Sequence, residues 1–115
     1  MKRALARRWS KALESGLYPQ TKGKLRDLNG LCCLAVLCSL HAEDHPEVAA
    51  RNTDINFYEG MSATLPGLVR NWSNISSSNG EFYQGDVFTS LSDMNDSGSS
   101  FQEIAKVIRK HYKEL

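Results

Sequence analysis

Apolar positions recur every three to four residues in three stretches of this chain and run unbroken in a fourth. Leu5, Trp9, Ala12 and Leu13 mark a helix over 3–15. Arg3, Arg7 and Lys11 step at i, i+4, i+8 along another of its faces. Gly16 is placed to end that helix with a positive φ. Leu65, Leu68, Val69 and Trp72 predict a second, short helix opening at Thr64 or Leu65, with Pro66 in its first turn, where proline is tolerated. The last helix has the fullest set of signals. Phe101, Ile104, Ala105, Ile108, Tyr112 and Leu115 form one stripe, and Ser100-Phe101-Gln102-Glu103 spells a capping box. Arg109, Lys110 and Lys113 lie near its C-terminus, where the helix dipole favours cations.

The unbroken run spans residues 31–42 and holds all three cysteines, Cys32, Cys33 and Cys38. Periodicity alone does not separate a buried strand from a buried helix. Its length exceeds a typical strand, and Val36 is its one β-branched residue. It therefore reads as a central helix that is apolar nearly all round, ended by His41-Ala42-Glu43-Asp44-His45-Pro46.

The remaining segments are less regular. Residues 17–29 read as short extended pieces, an irregular hairpin closed by Asp27-Leu28-Asn29-Gly30. Residues 47–63 are polar apart from Ile55-Asn56-Phe57-Tyr58, a short strand. Residues 73–80 read as a loop whose mobile tip is Ser76–Gly80, followed by a strand at Glu81–Gln84. Asp86 would cap a brief helix carrying Val87, Phe88, Leu91 and Met94, and Asn95–Ser99 reads as a tight turn. The fold class is α+β: a mostly helical single domain, residues 1–115, with a central buried helix and a small β element. The expected core is Leu5, Trp9, Leu13, Leu31, Leu34, Val36, Leu37, Leu68, Val69, Trp72, Leu91, Phe101, Ile104 and Ile108.

Charge changes this picture. Residues 1–27 hold eight Lys/Arg against two acids, and residues 28–115 hold six against eleven, although the whole chain is only +1. Such asymmetry points to an anionic partner at the N-terminal end, or to internal pairing of the basic helix with the acidic remainder. No apolar h-region follows the charged first residues, and the run at 31–40 is too short to span a membrane. The sequence therefore reads as a chain of a reducing, cytoplasmic compartment that binds no membrane.

The cysteine run invites a chemical reading that its spacing does not support. On a straight helix Cys32 and Cys33 point about 100° apart, and Cys33 and Cys38 about 140° apart. Three thiolates so disposed do not converge on one metal ion. A reactive thiol needs exposure and a lowered pKa, which Leu and Val neighbours do not provide. The cysteines read as small core hydrophobes. His41 and His45, with Glu43 and Asp44 between them, read as a solvated helix end rather than a metal cluster, and Asp93 and Asp96 as capping residues. No Walker loop, Gly-x-Ser-x-Gly elbow or His-Glu-x-x-His occurs. No metal or cofactor is expected, and the chain reads as a non-catalytic protein.

The remaining chemistry lies in the basic segment. Tyr18, Gln20, Lys22, Lys24 and Arg26 recur at every second position, so one face of an extended strand would present an aromatic plate, an amide and three cations. Such a face suits a phosphate or a nucleotide. It also suits an exposed edge strand kept soluble by lysines. Duplex DNA is not an expected partner, because no recognition module is present.

Several motifs carry a family resemblance. They are Trp9 with Ala12-Leu13-Glu14-Ser15-Gly16-x-Tyr18-x-Gln20, Gly23-Lys24-Leu25-Arg26, and Cys32-Cys33-Leu34-x-Val36-Leu37-Cys38. Further on come Leu65-Pro66, Trp72 and Leu91-x-x-Met94-Asn95-Asp96-Ser97-Gly98-x-Ser100-Phe101-x-x-Ile104-Ala105. In this order, and over nearly the whole chain, they resemble a group of small bacteriophage and prophage proteins. That group often has glycine where Ala35 stands and aspartate where Ser39 stands, so any role of the aspartate is missing here. The resemblance implies a phage accessory protein in the bacterial cytoplasm that blunts host defence by sequestering an anionic nucleotide signal. The expected ligand-binding residues are Tyr18, Gln20, Lys22, Lys24 and Arg26, joined by Asn95 and Asp96. The alternatives are a protein-binding inhibitor of a host enzyme and a small nucleotide-processing enzyme. The amphipathic last helix, with Tyr112 and Leu115, would complete the monomer core or pair with a second copy in a homo-oligomer.

Overall fold

Helix α1 (Arg3–Glu14) buries Ala6, Trp9, Ser10 and Leu13, and Gly16 after it takes φ +76°, as its place past the helix end requires. The computed structural model describes residues 1–115. A two-residue hairpin follows, β1 (Arg26–Asp27) paired antiparallel with β2 (Gly30–Leu31). Asp27 closes its turn by accepting from the backbone N–H groups of Asn29 and Gly30 at 2.8 and 3.2 Å. Those bonds hold its carboxyl below the usual carboxylate range.

Helix α2 (Cys33–Asp44) is the centre of the protein. Cys33 through Cys38, Leu40 and His41 are all buried, and the helix meets α1, β2, α3, α4 and α5. A helix that is apolar on every side has no solvent face, so it must be enclosed in this way. The Trp9 indole donates to Cys33 O at 2.8 Å in its core contact with α1. All three cysteines are free and buried, and burial raises each thiol pKa. Each stays a protonated thiol at neutral pH.

The second half adds α3 (Pro46–Arg51), α4 (Gly67–Ser73), the hairpin β3 (Glu81–Gln84) and β4 (Val87–Ser90), α5 (Leu91–Asp96) and α6 (Phe101–His111). The fold is α+β with two small antiparallel sheets. Helix α6 packs on α1 over the most extensive contact in the molecule. The two run in opposite directions: Met1 N meets Tyr112 O at 2.9 Å, and Ser10 Oγ reaches Ala105 O at 3.4 Å. The capping box is formed in both directions, Ser100 Oγ accepting from Glu103 N and Glu103 accepting from Ser100 N. Leu115 is buried and Tyr112 half-buried in this chain's own core. No helix is long and apolar enough to cross a membrane.

Several expectations change. Residues 46–51 form α3, with Pro46 in its first turn and Glu47 beside it, whereas the strand expected at 55–58 is a turn with a lone Tyr58–Met61 bridge. The helix expected from Asp86 begins five residues later. Gly85 and Asp86 instead make the tight turn between β3 and β4, Gly85 with φ +64°, because aromatic and β-branched Val87, Phe88 and Thr89 favour a strand. Ser90 is the cap of α5, accepting from Asp93 N at 3.0 Å. That helix runs through Asn95 and Asp96, so the turn is confined to the residues that follow. The 73–80 loop is tied down by Leu65 N to Ser78 O, Ser76 N to Leu115 O and Leu91 N to Gly80 O. Of the expected core, Leu5, Leu31 and Trp72 are half-buried and Leu68 is exposed.

His41 is also corrected: it is buried rather than solvated. Its ring stacks on His45 with centroids 4.3 Å apart and meets Trp72 edge-on at 5.1 Å. Its Nδ1 shares a 2.8 Å hydrogen bond with the Tyr58 hydroxyl, whose pKa burial pushes up to about 12. Burial also lowers the His41 pKa, with the His45 charge a smaller cause. The folded state thus takes up this proton less readily than the unfolded chain, whose histidines titrate near about 6.5. Stability from neutral His41 is present above that value and is lost as pH falls toward the lower folded pKa. Thermal unfolding from about pH 7.5 to about pH 5.5 should show this fall, and His41→Gln should flatten it. An unchanged slope in His41→Gln would remove His41 as the cause.

Candidate functional site

The expected site segment leaves α1 at Gly16 and crosses in front of β2. Leu31 N donates to Pro19 O and Thr21 N to Leu31 O, both at 2.8 Å, so Gln20 lies parallel to Leu31 as a single bridge. The chain then bends through residues 22–25, with Gly23 at φ +80°. A period of two keeps side chains on one face only in a continuous strand. With that strand broken, the five expected residues do not share a face.

Each goes its own way. Tyr18 is half-buried against the core, and burial raises its phenol pKa. Gln20 turns inward, its Nε2 donating to Asn95 Oδ1 and Ser99 O, both at 2.9 Å. Arg26 turns toward the 54–58 loop and donates to Asp54 O and Phe57 O at 3.1 and 2.6 Å, its guanidinium 5.8 Å from the centre of the Tyr58 ring. Lys22 and Lys24 are exposed.

The structure does bring this segment onto Asn95 and Asp96. Asn95 is fully buried on α5. Its Oδ1 accepts from Gln20 and from Cys33 N, the latter at 3.1 Å. Its Nδ2 donates to Thr21 O at 2.9 Å and to Asp96 Oδ1 at 3.2 Å. The amide's two donors and its oxygen's two lone pairs are thereby all engaged. One of those bonds satisfies an N–H in the first turn of α2, which has no side-chain cap of its own. Asp96 Oδ1 also accepts from Gly23 N at 2.9 Å. Gln20 and Asn95 therefore serve as internal clamps in this structure, their polar atoms bonded to one another and to backbone. Lys22 and Lys24 are the members of the expected set left open to solvent without internal bonds.

Two cavities open on the surface. One, of about 370 Å³, lies between α1 and α6 and is lined by Arg3, Ala6, Arg7, Arg109 and Tyr112. Periodicity set Arg3, Arg7 and Lys11 along one face of α1, but α6 supplies the other wall of the cleft, and no local pattern announces that meeting. Arg109 closes its fork on Glu14, whose carboxyl is held below its usual range by that bond. The other cavity, of about 720 Å³, lies between the β3–β4 hairpin and the end of α6, beside Phe82, Tyr83, Phe88 and His111. No three His, Cys, Asp or Glu side chains are grouped as metal ligands.

The chain belongs to the family described as Domain of unknown function (DUF8296), whose model matches residues 1–112. No curated protein and no solved structure matches it.

Proposed function

We propose that this DUF8296 chain is a non-catalytic binding module for an anionic ligand, a phage-encoded accessory protein that counters host defence by sequestering a nucleotide signal. The observation that supports this is the state of its N-terminal cations. Of the eight Lys/Arg in residues 1–27, Arg8 alone has carboxylate partners, Glu43 and Asp44 at 3.0 and 2.8 Å. Arg26 is held by backbone carbonyls. Lys2, Arg3, Arg7, Lys11, Lys22 and Lys24 have no carboxylate within 4.0 Å. Internal pairing with the acidic remainder thus accounts for little of the charge asymmetry. Unpaired surface cations concentrate anions near them. The motif likeness to phage proteins supports the biological setting.

Calorimetric titration with cyclic and ADP-ribose-derived nucleotides tests this reading. Binding should weaken as salt rises toward about 0.15 M, where attraction between exposed charges more than about 8 Å apart is largely screened. Ligand recovered intact from heat-denatured protein would separate a module from a nucleotide-processing enzyme. No binding across the panel would overturn the reading.

The exposed Tyr83, Val87 and Phe88 of the β3–β4 hairpin, 57–64 % accessible, favour a second reading as a protein-binding inhibitor of a host enzyme. A host enzyme captured by the parent but not by Tyr83→Ser/Phe88→Ser would support it.

A further inference from the structure

The cavity between α1 and α6 has the chemistry of a phosphate site. Its volume of about 370 Å³ is near the lower end of the roughly 300–1,000 Å³ typical of small-molecule sites. Three of its five lining residues are arginines, and their states differ. Glu14 already fills the fork of Arg109. Arg3 and Arg7 have no such partner. They stand one turn apart on α1, where like charges repel, and no acidic side chain in the first turn offsets them. A dianion between them would remove the repulsion.

We infer that Arg3 and Arg7 grip the phosphate of a phosphomonoester the size of a mononucleotide, with Tyr112 flanking its organic body. Guanidinium groups suit this work because their planar N–H forks match phosphate oxygens two at a time. The charges also match, since a phosphomonoester carries about −1.5 to −2 near neutral pH. Tyr112 is half-buried and is the aromatic residue in the wall. The inference rests on the anionic-ligand reading above and moves the ligand from the 20–24 loop to the two helices.

The test is calorimetry with AMP, adenosine and inorganic phosphate as probes, at about 0.05 M salt to limit screening. AMP should bind the parent and adenosine should not. Arg3→Gln/Arg7→Gln should weaken AMP by about tenfold or more, the loss expected when charge-assisted bonds are removed. Lys22→Ala/Lys24→Ala should change it by less than about threefold, because these two lysines do not line the cleft and reach it only by long-range, salt-screened attraction. The arginine variant should melt at the parent's temperature or above it, so that lost binding does not reflect lost folding. If Lys22→Ala/Lys24→Ala abolishes binding and the arginine variant keeps it, the cleft assignment falls while the anion-binding module stands. If the parent binds neither AMP nor phosphate, the cleft assignment falls outright, and the nucleotide panel above tests the module independently.

Discussion

Asn95→Ala is expected to destabilise the protein by about 3–4 kcal/mol, because it leaves buried groups without partners at about 1–3 kcal/mol each. The amide is fully buried and joins three segments far apart in sequence: the loop at Gln20 and Thr21, the start of α2 at Cys33, and α5 itself. Alanine removes the acceptor for Cys33 N and the donor to Thr21 O, and the space is enclosed. Gln20 retains Ser99 O, so its loss is partial. Urea unfolding measures the change as a shift of midpoint at constant slope. A loss below about 1 kcal/mol would mean that water enters and replaces the amide.

Asn95→Asp adds a sharper check. It replaces the donor to Thr21 O with a carboxylate beside Asp96, in a site with no cation in hydrogen-bond contact. Burial and the like charge both favour protonation, and a protonated carboxyl can donate to Thr21 O again. The variant should therefore recover stability relative to the parent as pH falls from about 7 to about 5, the sign required when the folded state binds the extra proton.

Gly30→Ala is expected to cost about 3 kcal/mol or more, at or beyond the upper end of overpacking penalties. A Cβ at this position would lie 2.2 Å from Pro19 O and 2.6 Å from Pro19 C. Both are backbone atoms, so no side-chain rotation relieves the clash. The Pro19–Thr21 segment would have to retreat, breaking Leu31 N to Pro19 O and Thr21 N to Leu31 O. Gly16→Ala is the control. It also has a positive φ, +76°, but no heavy atom within 4 Å of the added Cβ. It should cost only the conformational penalty, about 1–2 kcal/mol. Equal losses at the two glycines would show that close approach is not what Gly30 provides. Because Gly30 and Asn95 hold the same loop, the double substitution should destabilise by less than the two losses added together.

The clamp at Asn95 shows how far the sequence could be read. The motif pattern picked out Gln20, Asn95 and Asp96 as important, and the structure brings all three together. The structure adds an internal bonding role that the motif did not announce, because an amide's function depends on what faces it. Those partners lie 62–75 residues away in the chain. A polar side chain that binds a ligand and one that ties two loops look alike until the loops meet. The same holds for Arg26, a candidate ligand residue by alternation, which the 54–58 loop takes up with its carbonyls. Helix α3 was missed for a different reason. It buries only Val48, so hydrophobic periodicity is silent, although Pro46-Glu47 is a start signal. Gly85-Asp86 likewise signals a two-residue hairpin turn more directly than it signals a cap.

By itself the sequence determined whatever depends on near neighbours. That includes α1 and α6 from their periodicity, the capping box at Ser100, the turn at Asp27–Gly30 and the enclosed, unreactive helix of cysteines. Each follows from bonds and burial within a few turns of chain. The tertiary structure alone decided which polar groups are used internally and which remain free. It engaged Asn95, Gln20 and the Nη2 end of Arg26 with distant backbone, and it laid α6 across α1 so that Arg3 and Arg7 line a cleft with Tyr112. Those outcomes depend on contacts between residues up to about a hundred positions apart, which no local pattern of residues encodes.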